Sequence, residues 1–224
     1  MTQAASLHPQ PPGDKTNPPP RKMSRATRRT QLIESTIETL ATRGYARTTL
    51  TEVAQTAGLS HGLVNFHFET KEKLLSETLA YLADEYRLNW LAHLAQAEAD
   101  PAAQLAALLR ADFAATICTP QRLSAWGSFW GEAQSRPLYQ VQCGSNDDAY
   151  IAQMEEICTR LIAEGNYSGT AARVARVLRV TTEGVWLDMI TMSPPYSVQE
   201  AQATVHTSAA AFFPQHFSEA GLIG

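Results

Sequence analysis

The sequence predicts an all-α fold of about nine helices, a small three-helix head followed by a larger helical body. Apolar residues recur at spacings of three and four over most of the chain, the period of an amphipathic helix. Prolines stand where helices begin or break, at Pro101, Pro120, Pro137 and the Pro194–Pro195 pair. No stretch alternates apolar and polar residues as a strand does, and no hairpin turn joins two such stretches.

Residues 1–22 are polar and proline-rich, with PPP at 18–20. They hold too little apolar surface to bury a core and are expected to form a disordered arm. The arm runs into the basic stretch RKMSRATRR, which suits either a phosphate contact or simple solvation. From Ser24 the pattern is helical, and Leu32, Ile33, Ile37 and Leu40 mark one apolar face. Gly44 is expected to stop this helix. A second, short helix covers about 49–56, with Leu50, Val53, Ala54 and Ala57 inward. A third opens at Ser60 or His61 and ends near Phe68. Thr70 then caps a long fourth helix with the stripe Leu75, Leu79, Leu82, Tyr86 and Trp90. Further helices follow at about 102–116, 121–133, 137–164, 170–192 and 197–213.

No apolar run approaches the roughly 20 residues that span a bilayer. The first residues lack the apolar segment of a secretory signal, so the expectation is a cytoplasmic chain with no membrane partner. Cys118, Cys143 and Cys158 are scattered, without CxxC spacing, and read as free thiols in a reducing compartment. Charge is uneven. Residues 1–75 hold ten Lys/Arg against six Asp/Glu, a net +4, and residues 76–224 hold eight against sixteen, a net −8. A basic head on an acidic body suits a head that meets a polyanion.

The segment TLTEVAQTAGLSHGLVNFHF, residues 49–68, carries a helix-turn-helix pattern. Counted from Leu50, Ala54, Gly58 and Val64 fall at its fifth, ninth and fifteenth positions. Ala54 stands where two helices cross closely. Gly58 takes the turn, where a positive φ is easiest without a Cβ. Leu59 plugs the turn, and Val64 anchors the second helix inward. Ser60 caps that helix and leaves its N-terminal face free for a major groove. An ordinary αα-hairpin is the alternative.

With Gly44-Tyr45 ahead of it, the run TTLTEVAQTAGLSHGLVNFHFETKEKLL resembles the N-terminal domain of TetR-family transcriptional regulators over about 28–82. The resemblance implies a homodimer with one DNA-reading head per subunit, a palindromic operator, and a body that binds a small-molecule effector and dimerises. It gives a DNA-binding head at 23–70 and a ligand-binding and dimerisation body at 71–224. It places Thr49 at a phosphate contact and Ser60, His61, Gly62, Leu63 and Asn65 on the recognition helix. His67 and Lys71 fall near the DNA backbone at the start of the fourth helix. Asn65 stands where the family often has tyrosine, and suits either a phosphate contact or bidentate pairing with adenine. Phe66 and Phe68 are expected to pack the recognition helix, with His61, His67 and Lys71 on the wet side.

No catalytic residue, metal or cofactor is expected. His61 and His67 are six residues apart, not at the i, i+4 spacing of a zinc helix, and local motifs suggest no Ser/His/Asp order. A helical small-molecule-binding or catalytic protein without DNA binding is the rival of another class.

In the body, AWGSFWGEAQSRPLYQVQ places Trp126 and Trp130 on one helix face, with Tyr139 following. EGVWLDMI sets Trp186 between Glu183 and Asp188. Aromatic faces with carboxylates suit a quaternary ammonium ion, and equally they are bulky core residues. These motifs resemble the C-terminal domain of BetI-type repressors, a TetR branch that senses choline and controls its uptake and conversion to glycine betaine. That resemblance implies Trp126, Trp130, Tyr139 and Trp186 in an effector pocket for choline, another cationic amine or a hydrophobic metabolite. Small residues fill the last two helices, Ala171, Ala172, Ala175, Ala201, Ala203 and Ala209–Ala211, alongside Val174, Val177, Leu178, Val205 and Phe212. They suit a four-helix dimer interface or packing within the chain.

Overall fold

The computed structural model describes residues 24–132 and 136–223. The arm at 1–22 lies outside the described residues. Nine helices are present among them: α1 (Arg25–Arg47), α2 (Leu50–Ala57), α3 (His61–Phe68), α4 (Lys71–Gln96), α5 (Pro101–Ala111), α6 (Pro120–Gly131), α7 (Arg136–Gly165), α8 (Ala171–Thr191) and α9 (Val198–Phe212). The all-α fold is as expected.

The helix starts follow from their caps. The side chains of Ser24, Thr49, Ser60, Thr70, Asp100, Thr119 and Ser197 each accept a hydrogen bond from the backbone N–H three residues on. Pro101 and Pro120 open α5 and α6, where a missing N–H costs nothing. Gly58 closes α2 at φ 65°, the left-handed conformation the turn requires.

Three local features differ from expectation. Gly44 leaves helical geometry at φ 75°, yet one more turn follows it, held by Thr48 Oγ1 donating to the Gly44 carbonyl. The helix expected over 102–116 ends at Ala111. There the chain turns at Asp112, whose buried carboxylate is held by tyrosines of two other helices. A short hairpin also closes the chain, β1 (Phe217–Ser218) with β2 (Gly221–Leu222). Two residues per strand are too few to show alternation in the sequence.

Two apolar cores form. One gathers Leu32, Ile37 and Leu40 of α1, Val53 and Ala54 of α2, Val64 and Phe68 of α3, and Leu74 to Ala83 of α4. It also takes Ala125, Trp126 and Phe129 from α6. The other unites Trp90 with the apolar faces of α5, α7, α8 and α9. The expected division at residues 70 and 71 falls on the cap of α4 and not on a gap in packing. The first half of α4 belongs to the head core, and its second half to the body.

Candidate functional site

The head presents α3 at the surface. His61, Gly62 and Asn65 are exposed, as are Ser60 before them and Thr49 at the start of α2. Leu63 is half-buried. The Ser60 and Thr49 hydroxyls cap their helices, so both helix N-termini face outward as satisfied ends. Val64 and Phe68 are fully buried and fix α3 on the head core.

Two residues of this stretch are placed otherwise than expected. His67 is buried, not on the wet face. It lies one turn after Val64 on the inward side of α3, and its backbone carbonyl accepts from Arg29. Burial, with Arg29, Arg25 and Arg28 nearby, holds its imidazole below the ordinary histidine range. Phe66, expected in the packing, is 65% exposed. It sits beside Asn65 on the outward side, with the Arg25 guanidinium 5.6 Å from its ring centroid. The helical period holds the signal for both. Residues 64, 67 and 68 share the inward face, which leaves 65 and 66 outward.

Lys71 is half-buried. Its ammonium donates to the carbonyls of Tyr45 and Ala46, each at 3.0 Å, so it ties the end of α1 to the start of α4.

The second site is a cavity of about 280 Å³ in the body. All four expected side chains, Trp126, Trp130, Tyr139 and Trp186, line it. Trp130 stacks between Trp126 and Trp186, with ring centroids 6.0 and 6.5 Å away. Tyr139 meets Trp126 edge-on at 6.3 Å. The two outer tryptophans have different anchors: Trp126 belongs to the head core and Trp186 to the body core.

Tyr86, Asp112, Asp147, Tyr150 and Arg179 are among the other lining residues, and sequence reasoning did not assign them to it. Glu183 lines the cavity as well, paired with Arg179, whereas Asp188 is not among the lining residues. Asp112 is fully buried and accepts from Tyr86 Oη at 2.8 Å and Tyr150 Oη at 3.1 Å. Burial pushes its carboxyl up to about 7, against the downward pull of the two tyrosine hydrogen bonds. Asp147, hydrogen-bonded to Tyr139, is raised by burial too. The missed residues come from α4, the α5 turn, α7 and α8, far apart in sequence. Only Asp112 left a local signal, a carboxylate in a mostly apolar stretch.

Arg122 joins head and body. On α6, one turn before Trp126, it donates to Glu85 of α4 and Glu34 of α1, with Tyr81 Oη also on Glu34. Among the described residues no three His, Cys, Asp or Glu side chains group as metal ligands, and no helix is long and apolar enough to cross a membrane.

Comparison with known proteins finds relatives of both halves of the chain. Residues 32–78 match the model of the bacterial regulatory proteins of the tetR family, and residues 101–214 match that of the BetI-type transcriptional repressor C-terminal domain. The HTH-type transcriptional regulator BetI of Paraburkholderia xenovorans is 29% identical over 84% of this chain and 94% of its own. That of Rhizobium meliloti is 27% identical over 79% and 84%. The fold is shared with a TetR regulator from Haloarcula marismortui, at TM-score 0.69 and 20% identity, covering 86% of this chain and all of the other. It is shared too with a transcriptional regulator from Saccharomonospora viridis in complex with choline, at TM-score 0.66 and 20% identity, covering 81% and 94%. With a tetR-type head and a BetI-type body matched in order along one chain, this protein belongs to the TetR family of transcriptional regulators, as a DNA-binding repressor and not an enzyme.

Proposed function

We propose that the protein is a cytoplasmic homodimer that represses from a palindromic operator and is released by a cationic amine, choline or a related quaternary ammonium compound. The cavity carries this reading: tryptophan and tyrosine faces around carboxylates, in a volume suited to a small amine. Ring faces attract a quaternary cation, which has no hydrogen bond to offer. Choline bound in the S. viridis regulator supports the same class of ligand.

In the head, Thr49, Ser60, His61, Gly62, Leu63 and Asn65 form the DNA-facing set, joined by Phe66 and Arg25, with Lys71 near the DNA backbone at the start of α4. His67 supports α3 from beneath. The head at 23–70 and the body at 71–224 are functional halves that share α4, and the effector acts by preferring a state whose heads no longer fit the operator.

For the dimer, the exposed residues Val177, Val180, Gly184 and Leu187 line one face of α8. Val174, Ala175, Leu178, Ala201, Val205 and Ala209, also expected there, are buried inside the chain and are unavailable to a partner. Leu187→Arg is expected to give a monomer by sedimentation and at least a tenfold loss of operator affinity, since half-sites then bind singly. A dimer that persists sinks the α8 assignment.

The reading is tested by gel shift on the DNA upstream of the protein's own gene, at two salt concentrations, with and without choline. Sequence-selective retardation that choline reverses supports it. Retardation that choline leaves untouched removes the amine effector, and no retardation removes the operator reading. Lys71→Ala is expected to shrink the salt slope by about one and to lower Tm by roughly 2–4 °C, because the ammonium also holds the end of α1. A changed Tm with an unchanged slope leaves Lys71 only its structural part.

A further inference from the structure

We propose that Asp112 sets the charge selectivity of the cavity, so that a cationic effector binds by displacing the proton of this carboxyl while an uncharged molecule of the same shape gains nothing from it. This rests on reading the cavity as an amine-effector site.

The cavity has four carboxyl groups, and their surroundings separate them. Asp148 is exposed and screened by water, and Asp147 is half-buried. Glu183 already has a counter-charge in Arg179. Asp112 is 1% exposed and has no cationic partner among its hydrogen bonds. Its two oxygens take the hydroxyls of Tyr86 from α4 and Tyr150 from α7, which keep it in place beside the aromatic box. The Tyr86 ring meets Trp186 edge-on at 5.9 Å, so the carboxyl lies one ring away from the stack. Other titratable or charged groups around it are Glu183 and Arg179 on α8, Asp147 on α7 and the Cys118 thiol.

A buried carboxyl with no counter-charge retains its proton near neutrality, and Asp112 is pushed up to about 7. A cation placed in the box favours the ionised form and lowers that value. The proton leaves to solvent, and the cation takes over as the counter-charge. Effector affinity therefore rises with pH through about 7 and levels off above it. A neutral isostere shows no such dependence. Tyr86 stands on α4, which continues into the head core, so ionisation of Asp112 also changes a hydrogen bond to the helix shared by both cores.

Titration calorimetry of the full-length protein tests this, with choline and its uncharged isostere 3,3-dimethylbutan-1-ol as probes. At about pH 6 choline binding is expected to release close to one proton, seen as heat that depends on the buffer, and at about pH 8 almost none. Choline is expected to bind about tenfold or more tighter at the higher pH than the isostere. Asp112→Asn should lose about tenfold in choline affinity, keep the isostere within about twofold, and lose the pH dependence. Equal weakening of both probes would show a merely structural role and overturn the proposal. Choline binding without proton release in the wild type overturns it too, needs no variant, and leaves the amine-effector reading standing. Failure of the wild type to bind either probe overturns both.

Discussion

Arg122→Ala is expected to lower folding stability by about 2 kcal/mol and to weaken the effector's hold on operator affinity. The guanidinium is 16% exposed and holds Glu85 and Glu34 at 2.7–3.0 Å. Its removal leaves two carboxylates close together, with only the Tyr81 hydroxyl on Glu34. Like charges then face each other across the meeting point of α1, α4 and α6. Partial exposure of Glu34 softens the penalty, which keeps the figure below that of a fully buried pair. The consequence for regulation follows from position. Arg122 is on the helix that carries Trp126 and Trp130, and it grips the two helices that support the head. Urea unfolding measures the first effect, and operator affinity with and without choline measures the second. A stability change under about 0.5 kcal/mol, with coupling intact, would mean the network is only a solvated surface contact.

Trp130→Ala is expected to cost roughly thirtyfold in effector affinity while leaving operator affinity within about twofold. Trp130 is the middle ring of the stack, 41% exposed, and belongs to neither apolar core. Its loss removes ring faces from the cavity without opening a hole in the fold. Trp186→Ala is a blunter probe. That indole is buried in the body core, and truncation there costs about 3–5 kcal/mol, so a lost response would not separate binding from folding. If Trp130→Ala binds choline as the wild type does, the aromatic box is core packing and the effector sits elsewhere.

Much of this architecture is local and was readable from residue order. Helix starts depend on one side chain and one N–H three residues away, so Thr49, Ser60, Thr70, Asp100 and Thr119 announce them directly. The helix-turn-helix depends on Ala54, Gly58 and Val64, whose roles are fixed by size and backbone freedom within a single motif. The aromatic residues of the cavity were also legible, because Trp126 and Trp130 share a helix face and their motifs resemble a known branch of the family.

What failed to show in the sequence depends on which face of a helix meets which neighbour. The resemblance placed His67 near DNA, but the packing of α3 on α1 and α4 turns it inward and leaves Phe66 outside. The resemblance placed Lys71 near the DNA backbone, and nothing in residue order shows that its ammonium also reaches the end of α1. Small and branched residues of α8 and α9 looked alike as dimer contacts, and packing within the chain claimed one face of each helix.

The sequence by itself determined the helical class and the helix-turn-helix pattern, because short-range periodicity, capping and motif order suffice for these, while the four aromatic residues that line the cavity came from the resemblance to BetI-type repressors. Only the tertiary structure decided that Asp112, Tyr86 and Tyr150 meet inside that cavity, and that Arg122 joins α6 to α1 and α4. Those groups are separated by 26 to 88 residues, and chain folding alone brings them within hydrogen-bond distance. Burial then gives Asp112 an acidity that its residue type does not carry in water.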